Sequence, residues 1–303
     1  MKNEIIINKL KQYGDVDCDV ALSKHTTFRI GGICDYMVYP KNEICLTSIL
    51  KICKEYEIPY KILGKGSNLL ASDAAYHGAI ISLDRFFTEF YFEEDGTCVA
   101  QSGTSIILLA HEAMKRSLSG LEFASGIPGT VGGALFMNAG AYRSDMAAIL
   151  KEAYVLRNDE CVWVSAVDLE LSYRHSIFQR ERDWIILGGK FQLTLGDQIE
   201  IKELVDARRK RRMDSQPLNY PCAGSVFRNP DDVPAWKLIE DIGLRGKQIG
   251  GAMISCKHAN FIVNVGGATA SDVMSLIELV QKEIRDKYHI ELKLEVEKFN
   301  WPD

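Results

Sequence analysis

The chain has 303 residues, room for about two domains at roughly 150 residues each. With 47% apolar and 25% charged residues it has the composition of a folded globular protein, which excludes disorder, collagen-like repetition and low complexity. Its 36 basic and 41 acidic side chains leave a net charge of -5, the wrong sign for a protein that binds by neutralising a phosphate backbone, so nucleic acid is not an expected partner.

Met1 to Gly14 mixes charge with short apolar runs and predicts no export signal, and nowhere does the sequence approach the roughly 18 uninterrupted apolar residues of a membrane span. A cytoplasmic protein with no membrane partner is expected. The eight cysteines are scattered without a C-x-x-C pair and the six histidines are dispersed, which predicts reduced thiols and no metal site. Asp35 to Pro40 reads as a strand stopped by proline, and Leu46 to Tyr56 as a helix with Leu46, Ile49, Leu50 and Cys53 at helical spacing. A short strand from Tyr60 to Leu63 enters the turn Gly64-Lys65-Gly66-Ser67-Asn68. Strands are predicted at Ala79 to Leu83, Thr88 to Phe92 and Thr97 to Gln101, then an apolar helix from Ser105 to Lys115.

Gly120 to Gly140, GLEFASGIPGTVGGALFMNAG, packs six glycines and a proline into a span with almost no charge. Such a segment suits either a buried, tightly packed turn region or backbone held close to something flat or anionic. Strands follow around Ala153 to Leu156, Val162 to Val164 and Ile185 to Leu195, and a helix from Ile199 to Met213 carries the run Arg208 to Arg212. That run reads first as a solvated helix end complementing the C-terminal dipole, and second as a phosphate contact. Toward the C-terminus, Pro234 opens a short helix that Gly243 ends, Thr269 to Asp272 fits a capping box, and Val273, Leu276, Ile277, Val280 and Ile284 trace one apolar helix face. Strands from Ala259 to Val265 and Ile290 to Phe299 flank that helix. Soft domain boundaries fall near residues 85 and 200.

The Gly64 to Asn68 turn follows a strand and lets backbone N–H groups face a pyrophosphate, although it has neither Walker A nor Rossmann spacing. Two glycine segments in one chain suit a large cofactor with a pyrophosphate and a flat ring, flavin adenine dinucleotide better than a mononucleotide. Six segments occur in the order found in one family: His25 to Gly32 (HTTFRIGG), Ile62 to Leu70 (ILGKGSNLL), Gly120 to Tyr142, Tyr173 to Phe178 (YRHSIF), Pro221 to Pro230 (PCAGSVFRNP) and Leu294 to Val296. Over nearly the whole chain the sequence resembles the UDP-N-acetylenolpyruvoylglucosamine reductases, or UDP-N-acetylmuramate dehydrogenases, of bacterial cell-wall (peptidoglycan) synthesis.

The resemblance implies an α+β fold: an FAD-binding domain of the vanillyl-alcohol-oxidase type in two subdomains, residues 1–85 and 86–200, then a separate α/β substrate-binding domain, residues 201–303. It implies non-covalent FAD, with NADPH as reductant, a nucleotide-sugar substrate and a monomeric enzyme. Cofactor contacts are implied for Gly64, Lys65, Gly66, Ser67, Asn68 and Leu69, for Ser125, Gly126, Ile127, Pro128, Gly129, Thr130, Gly132 and Gly133, and for Asn138 and Gly140.

Hydride from flavin N5 to the terminal carbon of an enolpyruvyl group piles negative charge onto the adjacent carbon and its carboxylate. By similarity, Arg174 grips that carboxylate, Ser225 protonates the carbanionic carbon, and Glu295 polarises or protonates the intermediate. Taken alone, Arg174 reads as a surface arginine beside a strand and Ser225, after a glycine, as a turn residue. The alternation of Leu292, Leu294 and Val296 with charged neighbours does not separate Glu295 from Glu291 or Glu297. Asn229 and His258 align with substrate contacts, and Asn229, before a proline, is equally a turn former. The compact stretch between Arg174 and Ser225 leaves no room for the substrate-closing tyrosine loop of longer members, and Cys222 and Trp236 stand where smaller residues are expected. Two rival readings are a sugar or alcohol oxidase with flavin tethered through histidine, and a nucleotide-sugar-binding regulator without flavin.

Overall fold

The computed structural model describes residues 4–301, so the ends of the first and last expected domains lie outside the described residues. The chain divides into two compact units that interleave in sequence. The first takes Met1–Cys18, Asp35–Lys65 and His77–Arg211, and the second Asp19–Cys34, Gly66–Tyr76 and Arg212–Asp303. The contiguous segments expected from sequence follow the chain; the contacts instead join two N-terminal segments to the C-terminal hundred residues. The expected α+β class is observed, with helices and sheets packed in both units.

In the first unit a four-stranded sheet has the order Gly14–Ala21, Ile33–Pro40, Tyr76–Ser82, Tyr60–Leu63, and the last two strands pair in parallel from Tyr60 opposite Ala79 to Leu63 opposite Ser82. A parallel pair needs a crossover, here residues 64–75, and the helix Glu43–Glu55 that precedes the pair enters this sheet's core through Leu46, Ile49, Ile52 and Cys53. It begins where Asn42 Oδ1 accepts the Cys45 N–H at 2.9 Å. The five-stranded antiparallel sheet has the order Glu160–Ser165, Leu150–Arg157, Ile185–Gln192, Thr97–Gln101, Phe90–Phe92. Against it pack the helix Ile106–Lys115, N-capped by Ser105, and the buried side of the glycine-rich segment through Phe123, Val131 and Leu135.

Two strands of the first unit are shorter than predicted for identifiable reasons. Ile185 to Leu195 is not one strand: it stops at Gln192 and resumes at Thr194–Leu195, which pairs with Leu118–Ser119. Between them Leu193 is buried and gives its N–H to the Gly96 carbonyl at 3.0 Å. Thr88 to Phe92 shortens to Phe90–Phe92 because the Gln101 side chain accepts the Glu89 N–H at 3.0 Å, standing in for a strand partner.

In the second unit the strands Gln248–Ile249, Ala252–Ile254 and Ile262–Asn264 form an antiparallel sheet, and the helices Ala235–Asp241 and Ala270–Tyr288 bury Leu238, Ile239, Val273, Leu276, Ile277, Val280 and Ile284 in one core. Each such aliphatic side chain contributes about 1.5–3 kcal/mol on burial. Phe28, Ile30 and Leu70, far off in sequence, belong to the same core, which is why the interleaved segments join this unit. The final predicted strand, Ile290 to Phe299, narrows to Glu297–Phe299, which pairs in parallel with Leu69–Ala71. Ala259 to Val265 narrows to Ile262–Asn264, since the Phe261 N–H turns back to the His258 carbonyl at 3.0 Å.

The capping box is formed as predicted: Thr269 Oγ1 accepts the Asp272 N–H at 3.1 Å and Asp272 Oδ2 accepts the Thr269 N–H at 3.0 Å. Asp272 Oδ2 also accepts the Gly251 N–H at 3.1 Å. A side chain at Gly250, with φ +52°, would collide with this carboxylate. The N–H groups of Thr269 and Gly251 hold the Asp272 carboxyl below its usual range. Asp272→Ala is expected to lower unfolding free energy by about 1 kcal/mol in urea titrations. Because the folded carboxyl is the stronger acid, that contribution is present above about pH 4 and fades as pH falls through and below it, so wild type and variant converge in acid.

Candidate active site

The strand Tyr60–Leu63 delivers the first glycine turn. A Cβ at Gly64 would lie 2.8 Å from Thr130 Oγ1, so Gly64 is what lets the turn approach the glycine-rich segment. Lys65 Nζ is paired with Asp84 at 2.9 Å. In the second unit Gly66, at φ +58°, lies against the His25 carbonyl where any side chain would clash, and its own carbonyl accepts the Thr27 N–H at 3.1 Å. Ser67 is half-buried and Leu69 buried. Asn68 Nδ2 donates to the Glu295 carbonyl at 2.9 Å, and the Glu297 N–H donates to the Asn68 carbonyl at 2.8 Å.

The second segment divides the two readings its composition allowed. Leu121 to Ser125 and Val131 are buried, as a packed turn region would have them. Gly126, Ile127 and Gly129 are half-buried, and Pro128 and Gly133 are exposed, so an uncharged stretch of backbone faces outward. Ser125 Oγ donates to the Glu122 carbonyl at 2.8 Å, while Thr130 Oγ1 accepts the Gly133 N–H at 3.2 Å and caps the helix Val131–Phe136. A Cβ at Gly132 would lie 2.9 Å from Ser102 Cβ. These side chains are engaged within the protein, so a cofactor here meets mainly backbone.

Asn138, at φ +40° and almost wholly buried, has its amide engaged internally. Nδ2 donates to the Ser172 carbonyl at 2.8 Å and Oδ1 accepts the Ala147 N–H at 2.9 Å. It thereby supports the tight turn Ser172 to His175, closed by reciprocal backbone hydrogen bonds at 3.1 and 3.0 Å. Arg174 sits in that turn at φ +55°, a left-handed conformation that costs a non-glycine residue about 1 kcal/mol or more. Its Nη2 donates to the Gly140 carbonyl at 2.9 Å and its guanidinium lies over the Tyr173 ring. Arg174, Asn138 and Gly140 are therefore brought together within the first unit.

In the second unit Ser225 and Glu295 are brought onto adjoining strands of backbone. The Val226 carbonyl accepts the N–H of Glu295 at 2.8 Å and of Val296 at 3.4 Å, the Arg228 N–H donates to the Lys293 carbonyl at 2.9 Å, and Phe227 faces Leu294 in an antiparallel bridge. Glu295 is half-buried, not on the open polar face with exposed Glu291 and Lys293. Asn229 is exposed and its Oδ1 accepts the Ala235 N–H at 3.1 Å, the turn-forming role that its place before proline allowed. His258 accepts the Asn260 N–H on Nδ1 at 3.3 Å, which leaves the proton on Nε2, and it lies between the rings of Phe261 and Trp236 at 4.8 and 6.5 Å. Burial, then the Arg245 charge, pushes its imidazolium below the usual histidine range. No group of three or more potential metal ligands is found among the described residues, and none of their helices is long and apolar enough to cross a membrane.

Residues 34–165 match the family model of an FAD-binding domain, and residues 216–299 match that of the C-terminal domain of UDP-N-acetylenolpyruvoylglucosamine reductase. Curated proteins of that name are 45% identical over 285 residues in Anoxybacillus flavithermus, covering 94% of each chain, and 43% identical over 297 residues in Bacillus anthracis, covering 97% of this chain and 98% of that one. The chain belongs to the UDP-N-acetylenolpyruvoylglucosamine reductase family. The crystal structure of the Thermus caldophilus reductase superimposes with a TM-score of 0.82 at 33% identity, covering 96% of this chain and all of that one.

The reductase-family chain is a flavin-dependent oxidoreductase, and its residues suit FAD. Ser102 Oγ, beside Gly132 at the start of the Val131–Phe136 helix, is buried without a hydrogen-bond partner. The uncharged outward stretch from Gly126 to Gly129 suits a flat ring. Residues that sequence motifs left unnoticed include Ser102, Glu122, whose buried carboxylate accepts Ser119 Oγ and the Gly120 N–H at 2.6 and 3.0 Å, and Asn260. Only for Glu122, a charged residue inside an uncharged span, did the sequence carry a local signal.

Two outcomes follow from the titrating groups. The Cys222 thiol is half-buried and held above its ordinary pKa chiefly by that burial, while Cys18 and Cys256 are exposed. Iodoacetamide at neutral pH is therefore expected to label Cys18 and Cys256 before Cys222, read by peptide mass spectrometry. For His258, folded and unfolded forms are both neutral above about pH 6.5; below it the unfolded chain takes the proton first and stability is lost down through the folded pKa. His258→Gln is therefore expected to lose less stability than wild type between about pH 7 and about pH 5 in urea titrations.

Proposed function

We propose that this chain, in the cytoplasm, reduces UDP-N-acetylglucosamine enolpyruvate to UDP-N-acetylmuramate, taking electrons from NADPH through non-covalently held FAD. The observation that supports it most directly is the double acceptance by the Val226 carbonyl, which sets the Ser225 segment against the Glu295 segment, far along the chain.

Gly64 to Leu69, Ser125 to Thr130, Gly132, Gly133, Asn138 and Gly140 hold the cofactor, largely through backbone groups, with Asn138 and Gly140 acting through the turns they support. When bound, FAD supplies a hydride acceptor and donor that lets one pair of electrons pass from NADPH to the enolpyruvyl double bond. The Arg174 guanidinium pairs with the substrate carboxylate and strengthens its grip as negative charge builds on the carboxylate and the adjacent carbon. The hydrogen bond to the Gly140 carbonyl orients one edge of that guanidinium. Ser225 Oγ gives its proton to the adjacent carbon, which carries enough charge to take a proton from a hydroxyl. Glu295 helps to polarise or protonate the intermediate, and Asn229 and His258 contact the sugar or diphosphate. His258 does so as a neutral Nε2–H donor.

Rapid mixing separates the two halves. NADPH should bleach the flavin bands and the enolpyruvyl substrate should restore them. Ser225→Ala should leave bleaching intact and slow restoration by about 10²- to 10⁴-fold, whereas Arg174→Lys, which loses the two-pronged geometry, should slow restoration and raise the KM for substrate. Restoration by oxygen alone would assign the chain to the oxidases, and equal rates for Ser225→Ala would remove Ser225 from the mechanism.

A further inference from the structure

We infer that Asn260 is a positioning residue for Ser225, an inference that rests on the reading of Ser225 as proton donor. Asn260 is 3% exposed, and its side-chain amide makes a matched pair with one backbone unit: Oδ1 accepts the Phe227 N–H at 3.0 Å and Nδ2 donates to the Phe227 carbonyl at 2.8 Å. Its own carbonyl accepts the Val226 N–H at 2.9 Å. On the other side, the Val226 carbonyl takes the N–H groups of Glu295 and Val296. The two residues that follow Ser225 therefore have their N–H and C=O groups held from both flanks, and Val226 and Phe227 are anchored in the core at 2% and 1% exposure.

The turn on the other side of Ser225 is the less constrained one. Gly224 has φ +77° and open space where a side chain would stand, so no side-chain packing holds the chain there. Ser225 is thus a short hydroxyl between a glycine turn and a clamped dipeptide, and the clamped side supplies the hydrogen bonds that fix its direction. The Asn260 N–H on His258 Nδ1 carries the same asparagine to a second proposed substrate contact and selects the Nε2–H tautomer.

A carboxamide satisfies both groups of Phe227 at once, because the pair needs one acceptor and one donor on a planar fork, which an ionised carboxylate lacks. Asn260→Asp keeps the shape and the acceptor, but sets a second carboxylate oxygen against the Phe227 carbonyl. The expected displacement is a fraction of an ångström to about 1 Å, which is sufficient to cost proton transfer about 10- to 100-fold.

The test uses the FAD-loaded holoenzyme and rapid mixing, with Asn260→Asp, Ser225→Ala and the double variant. Asn260→Asp is expected to keep wild-type flavin content and bleaching by NADPH within about twofold, while restoration by the enolpyruvyl substrate slows about 10- to 100-fold. In the Ser225→Ala background, Asn260→Asp is expected to change restoration by less than about twofold, since it has no serine left to aim. Asn260→Ser, which retains a donor and an acceptor at shorter reach, is measured in the same way should the aspartate variant not fold. Loss of flavin, equal slowing of both halves, or an undiminished effect in the Ser225→Ala background would overturn the positioning role. If Ser225→Ala alone leaves restoration unchanged, it is the proton-donor assignment that fails.

Discussion

The parallel pairing of Leu69–Ala71 with Glu297–Phe299 is the join on which the second unit depends. Parallel strands cannot be closed by a local turn, so this pairing joins the exit of the first glycine turn to a strand more than two hundred residues further on. Its first rungs, the Glu297 N–H on the Asn68 carbonyl and Asn68 Nδ2 on the Glu295 carbonyl, lie between a proposed cofactor turn and a proposed catalytic carboxylate. Phe28, Ile30 and Leu70 can then enter the core under the Ala270–Tyr288 helix.

A common device recurs in the two units. Two of the three proposed catalytic side chains, Arg174 and Ser225, stand on irregular backbone, where regular strand or helix hydrogen bonds are not available to fix them, and in each case a buried asparagine supports that backbone. Asn138 reaches the Ser172 carbonyl below Arg174, and Asn260 reaches both groups of Phe227 beyond Ser225. Asparagine suits this task because its short, planar amide donates and accepts at once, and because burial makes a loss of either bond costly. The positive φ of Arg174 and Asn138 is maintained by the same bonds.

Much of the fold was legible from local pattern. Asn42, Ser105 and Thr269 cap the helices whose apolar faces they precede, and Tyr60–Leu63 and Thr97–Gln101 occupy the predicted spans. The glycine segments were visible as composition, and their neighbours in the ordered motifs carried the family. What was not legible was which partner each polar group takes. Glu295 looked like one of several solvent-facing acids by alternation, yet 290–296 is held by the Val226 and Arg228 backbone and is not a regular strand. Asn229 and Asn260 are the same residue type; one is exposed and accepts the Ala235 N–H, and the other is a buried clamp on Phe227.

By itself the sequence determined the Thr269 capping box, the apolar helix faces and, through its ordered motifs, the family, because these depend on neighbours within a few residues. The tertiary structure alone decided that residues 19–34 and 66–76 join the C-terminal unit, and that Ser225 lies on backbone bound to that of Glu295. It also decided that Asn138 and Asn260 face inward. Those outcomes rest on hydrogen bonds and burial between segments far apart in the chain, and periodicity contains no information about which distant carbonyl a given N–H will meet.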